Sequence, residues 1–137
     1  MRMRRFVATL SAAVATTFGA VVVAPAPAQA ATSWSLSGTA GDAYGVWAYG
    51  TWWWSGGRLY LQVNVKDTAA DGYGARVGII AYYNDGGTRG EVVHNSGGSG
   101  TTVTRQFNFA GNVTKITGGE CAVNIGSACV GPSGRIY

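Results

Sequence analysis

Between residues 59 and 66 apolar and polar side chains alternate without a break. Leu59, Leu61, Val63 and Val65 fall on one side, and Tyr60, Gln62, Asn64 and Lys66 on the other. A period of two marks a half-buried strand, because successive side chains leave a pleated backbone on opposite faces. The same reading places a short strand at 33–37, where Trp34 and Leu36 alternate with serines. Further strands are predicted at 43–54, 58–66, 75–83, 88–95 and 101–109, with two short ones at 113–117 and 121–125. The segment 43–54 is an aromatic run broken by Gly45 and Gly50, so a bulge or bend is expected in it. Strands 58–66 and 75–83 are expected to form a hairpin across residues 67–74. Ser55-Gly56-Gly57 and Asn84-Asp85-Gly86-Gly87 read as tight turns, and 96–100 as a flexible loop. About eight short strands at such regular spacing predict an all-β, single-domain antiparallel β-sandwich.

Composition agrees with strands over helices. Gly accounts for 22 of 137 residues, and beyond residue 30 the strong helix formers are sparse. No stretch there sustains a 3.6-residue period. The first 30 residues differ. Arg2, Arg4 and Arg5 precede an uncharged apolar run at 6–24, and Ala28-Gln29-Ala30 offers small residues where a signal peptidase reads. This predicts a signal peptide at 1–30, a single secreted domain at 31–137, and an extracellular location. The run is long enough to raise a membrane anchor as the rival, but Gly19, its threonines and the Pro25/Pro27 pair favour cleavage. Phe6 directly after Arg4-Arg5 breaks twin-arginine spacing, so the general secretory route is expected.

Cleavage changes the charge argument. The full chain carries +4, and three arginines leave with the segment, so residues 31–137 stand near +1. The high isoelectric point is largely an export feature. It supports neither a nucleic-acid partner nor a membrane partner after cleavage. Export also brings Cys121 and Cys129 into an oxidising compartment, which predicts a disulfide between them. Closing so short a loop is worth about 2–3 kcal/mol. The rival, a thiolate metal site, lacks the four ligands a closed zinc site needs.

Among candidate chemistries the aromatic run stands first. On a regular strand Trp52 and Trp54 face one side, while Trp53 shares the other with Trp47 and Tyr49. A sandwich buries one face of each sheet, so Trp47, Tyr49 and Trp53 are candidate ligand-binding residues on an outer face, suited to stacking against sugar rings. The competing reading is that a bulge at Gly50 re-aims the run and the rings serve as packing. Asp67 and Asp71, with Gly72 following, are weak candidates for a metal loop. Ala69 and Ala70 between them and the lack of a downstream bidentate Glu favour an Asx-type turn instead. His94 is the lone histidine. No nucleophile elbow or paired-carboxylate signature is present, so no catalytic residue is assigned, no cofactor is expected, and a non-enzyme is predicted. An enzyme reading would require Asp67, Asp71, Glu91 and His94 to meet in one cleft. Asn112-Val113-Thr114 matches a glycosylation sequon, a short motif common by chance.

With its Ala-rich leader, the run Val65-Lys66-Asp67-Thr68-Ala69-Ala70-Asp71-Gly72 and the C-terminal cysteine pair, the chain resembles small secreted β-sandwich-like proteins of high-GC Gram-positive bacteria. That resemblance implies export but transfers no functional residue. The expected function is a secreted non-catalytic binding module for extracellular or envelope polysaccharide. The alternative is a module that binds a secreted protein, such as a hydrolase inhibitor, through loop 97–100 or the disulfide loop.

Overall fold

The structure, a computed structural model, describes residues 29–123 and 133–137. The expected signal peptide, save its last two residues, and Cys129 lie outside the described residues. Within them there is no helix. The strands are β1 (Thr32–Ser35), β2 (Val46–Ser55), β3 (Arg58–Asp67), β4 (Gly74–Tyr83), β5 (Thr88–Asn95), β6 (Thr102–Phe109), β7 (Val113–Val123) and β8 (Gly134–Arg135). They form two four-stranded antiparallel sheets, ordered β1-β2-β3-β6 and β5-β4-β7-β8. The chain is an all-β antiparallel sandwich.

The alternating strand at 59–66 is central to its sheet, between β2 and β6. Leu59, Leu61, Val63 and Val65 are wholly buried and share one core with Ala75, Val77, Ile79 and Ala81 of β4. Leu36, Val93, Phe109 and Ile116 belong to the same core, with Trp34, Val46, Ala48, Val113 and Ile136. Each large apolar side chain so buried contributes about 1.5–3 kcal/mol. Gly56 and Gly57, both at positive φ (56° and 73°), close the β2–β3 hairpin in a conformation that matches strand twist. The β4–β5 connection is longer, four residues at 84–87, and is closed by Gly86 N–H donating to the Tyr83 carbonyl and Gly87 N–H to Asp85 Oδ1 at 2.8 Å.

Three expectations are corrected. First, β3 and β4 are not a hairpin. They belong to different sheets, and residues 68–73 carry the chain across the sandwich. Alternation looks the same whether two strands pair edge to edge or face each other across a core. Second, β2 has no bulge at Gly50: its register with β3 runs unbroken from Val46↔Asp67 to Ser55↔Arg58. Gly50 serves close approach instead. A Cβ there would collide with the Gln62 carbonyl oxygen and lie 3.2 Å from Trp34 Nε1, which donates to that same carbonyl at 3.3 Å. Third, the short strands expected at 113–117 and 121–125 are one strand, β7, running through Gly118 and Gly119. Neither glycine adopts positive φ. Gly118 is in the strand because a Cβ would press on Ile136 Cδ1 (2.8 Å) and Leu36 Cδ1 (3.2 Å).

Candidate functional site

With β2 regular, strand parity decides where the aromatic rings go. Trp52 and Trp54 turn inward and pack on the core, each meeting the C-terminal Tyr137 edge-on, at 4.9 Å and 6.0 Å. Trp47, Tyr49, Thr51 and Trp53 stand on the outer face of the first sheet. The register sets Tyr60, Gln62, Asn64 and Lys66 of β3 beside them, with Thr102, Thr104, Gln106 and Asn108 of β6 beyond.

Two aromatic stacks result. Trp47 and Tyr49 lie 4.1 Å apart, centroid to centroid, with planes at 27°. Trp53 stacks on Tyr60 at 5.6 Å. Along β2, Tyr49 and Trp53 are separated by about 13 Å at the usual strand rise. The ground between and beside the stacks is amide and hydroxyl. Thr104 Oγ1 donates to Asn64 Oδ1 at 2.7 Å, and Asn64 Nδ2 to the Tyr49 carbonyl at 3.3 Å. Thr51 Oγ1 donates to Gln62 Oε1 at 3.4 Å. Trp47 Nε1 donates to Ser35 Oγ, and Arg58 Nε to Asn108 Oδ1, each at 3.0 Å. Among the described residues no carboxylate projects from this face, and its cations, Arg58 and Lys66, lie at opposite ends of β3. Rings offering flat apolar faces among neutral donors and acceptors fit a ligand that is apolar on one surface and hydroxylated at its rim.

At the Trp47 end, the chain between β1 and β2 folds over the sandwich and is tied to β7. Glu120 projects inward from β7 and is nearly buried. Its carboxylate accepts the Ala43 N–H at 2.9 Å and the Ala48 N–H, and its own N–H donates to the Gly41 carbonyl. Burial pushes its pKa up from 4.5 to about 7. The nearby Asp42 side chain adds to the rise, against the two backbone donors. Glu120 carried no signal in the sequence: it falls between the two short strands expected at 113–117 and 121–125, so no periodicity assigned it a face.

The acidic turn is structural in its contacts. Asp67 is buried and its Oδ1 accepts the Ala69 N–H, while Asp71 Oδ1 accepts the Tyr73 N–H: two Asx turns in the β3–β4 crossover. Among the described residues no group of three His, Cys, Asp or Glu is placed to hold a metal ion. Asp67 and His94 line one cleft of about 870 Å³ together with Tyr73 and Arg76. Glu91 instead pairs with Arg89 beside a separate groove, so the four residues of the enzyme reading do not converge. On the outer face of the second sheet, Ile80 and Val92 are exposed above Gly78, Gly90 and Gly119. The 97–100 loop is held rather than loose: Gly100 N–H donates to the Asp67 carbonyl and Gly97 N–H to Asn95 Oδ1. Cys121 lies opposite Arg76 on β7; its expected partner lies outside the described residues. Compared with protein-family models, curated proteins and solved structures, the chain matches none.

Proposed function

We propose that this protein is a secreted, non-catalytic module that binds glycan on the outer face of its first sheet, through Trp47, Tyr49 and Trp53. The observation that carries the reading is the pair of aromatic stacks on one sheet face, set among neutral amides and hydroxyls. The C–H faces of a sugar ring would lie on the rings, and its hydroxyls would exchange hydrogen bonds with Gln62, Asn64 and Gln106. Tyr60 joins the three residues, since its ring backs Trp53. Export by a cleaved signal peptide and a Cys121–Cys129 disulfide belong to the same proposal, and no cofactor enters it.

The test is retention by a broad panel of insoluble polysaccharides. The exported protein is expected to sediment with at least one of them, and Trp53→Ala to stay in the supernatant while keeping its fold. A wild-type protein retained by none overturns the reading.

A second reading, a module that docks on a secreted protein such as a hydrolase, draws on the opposite sheet, where Val92 is 61% and Ile80 43% exposed. Co-purification of a secreted enzyme with the exported protein, lost in Val92→Asp, supports it. A clean monomer from culture fluid counts against it.

A further inference from the structure

Beyond the Trp47 end of the aromatic face lies a hollow of about 520 Å³. Its lining includes Ser37, Asp42, Tyr44, Trp47 and Thr68. Tyr44 is the notable member. It is 87% exposed, the most exposed large hydrophobic side chain described. Neither its ring nor its hydroxyl has a partner among the described residues. An aromatic side chain left so far out of the core contributes little to folding, so its place beside Trp47 calls for another account.

The backbone carrying Tyr44 is nevertheless firmly held on both sides. Ala43 N–H is bound by the Glu120 carboxylate at 2.9 Å. The Gly45 carbonyl accepts the Thr68 N–H at 3.0 Å, and Val46 N–H donates to the Ala43 carbonyl at 3.3 Å. Asp42 Oδ2 accepts the Gly38 N–H at 2.8 Å, which fixes the carboxylate at the wall of the hollow. Gly45 turns the chain at φ 85°, a value open to glycine. A ring presented on an ordered backbone loses only its own side-chain freedom on binding, which lowers the cost of a contact.

Building on the glycan-binding reading, we infer that this hollow is a further saccharide subsite, in which Tyr44 and Trp47 take the sugar ring next beyond those on the β2 face. The class of sugar follows from the lining. Asp42, Ser37 and Thr68 supply a carboxylate and two hydroxyls, which accept hydrogen bonds from sugar hydroxyls. The carboxylate disfavours a uronate at this position by like-charge repulsion. The subsite therefore takes a neutral hexose or N-acetylhexosamine unit. The chain it belongs to runs along β2, from Trp53 past Tyr49 to Trp47 and Tyr44.

The test is calorimetric titration with cello- and chito-oligosaccharides, from dimer to hexamer, using wild type, Tyr44→Ala, Tyr44→Phe and Trp53→Ala. Tyr44→Ala is expected to melt like wild type, since the ring is free. Wild-type affinity is expected to rise with oligomer length, and Tyr44→Ala to lose the last increment, about fivefold for one aromatic contact. Tyr44→Phe keeps most of it, and Trp53→Ala weakens every length. If Tyr44→Ala matches wild type at every length while Trp53→Ala is weak, the subsite is refuted and the binding face stands. If polymers retain the wild type but no oligomer binds it, the subsite is likewise refuted. If neither polymer nor oligomer binds the wild type, face and subsite fall together.

Discussion

Trp53 of β2 lies directly opposite Tyr60 of β3, and their ring planes are within 10° of parallel. The adjacent Trp52 points through the same sheet the other way and meets Tyr137 edge-on. One step along the chain thus separates a ring on the outer face from a ring packed against the core, both of them half-buried. That difference makes the two tryptophans a matched pair for experiment. Trp52→Ala removes core packing and is expected to cost about 2–4 kcal/mol. Trp53→Ala gives up one stacking contact and about 1 kcal/mol, but loses retention on polysaccharide. Chemical denaturation of both variants, beside the sedimentation assay, checks the pair. Equal stability losses would contradict the parity assigned to β2.

Glu120 makes stability depend on pH. Its folded-state pKa of about 7 lies above the 4.5 expected of an unfolded chain. Between those values the folded protein holds a proton that the unfolded chain has released. Its contribution is therefore complete below pH 4.5, declines as pH rises, and is lost above about 7. Thermal melts from pH 4.5 to 8 are expected to show the melting temperature falling towards the alkaline side. Glu120→Gln removes the charge and keeps an acceptor for only one of the Ala43 and Ala48 N–H groups, which bind different carboxylate oxygens. It is expected to lower stability at every pH and to flatten this slope. An unchanged slope in Glu120→Gln would assign the pH dependence elsewhere.

Gly50 separates a bulged strand from a regular one. At a bulge, alanine would be accommodated. Here its Cβ would meet the Gln62 carbonyl oxygen, and backbone cannot move aside as a flexible side chain can. Gly50→Ala is expected to cost about 3 kcal/mol, read from urea midpoints at constant m-value. Exposed Gly38, whose Cβ would meet no atom within 4 Å, is the control for positive-φ strain alone. Gly38→Ala is expected to cost about 1 kcal/mol.

The C-terminal residue closes one end of the sandwich. Tyr137 N–H donates to the Ile116 carbonyl at 3.1 Å, and Ile116 N–H to the Tyr137 carbonyl at 2.9 Å, while the ring braces Trp52 and Trp54. Tyr137→Ala keeps the backbone pairing and removes the brace. It is expected to lower stability by about 1–2 kcal/mol and to shift tryptophan emission to longer wavelength as the two indoles gain water. Unaltered emission would mean that the ring does not shield them.

The sequence by itself determined the class of fold and most of its strands. Leu59 to Lys66 alternates because one side must meet a core and the other water, and that demand is local to the strand. Turn chemistry at Gly56-Gly57 and Asp85-Gly86 was legible for the same reason: positive φ is a property of single residues. So was the split of Trp52 and Trp54 from Trp47, Tyr49 and Trp53, once the strand was taken as regular. Only the tertiary structure decided which strands pair. The buried faces of β3 and β4 look alike in sequence whether the strands are neighbours or lie across the core, and 118–120 reads as a gap between two short strands until Ile136 and Leu36 are found against Gly118. Tyr60 behind Trp53, Glu120 under Ala43, and Tyr44 beside Trp47 all depend on register or on contacts across many residues. A periodicity of two says which side of a sheet a residue takes; it holds no information about what stands opposite.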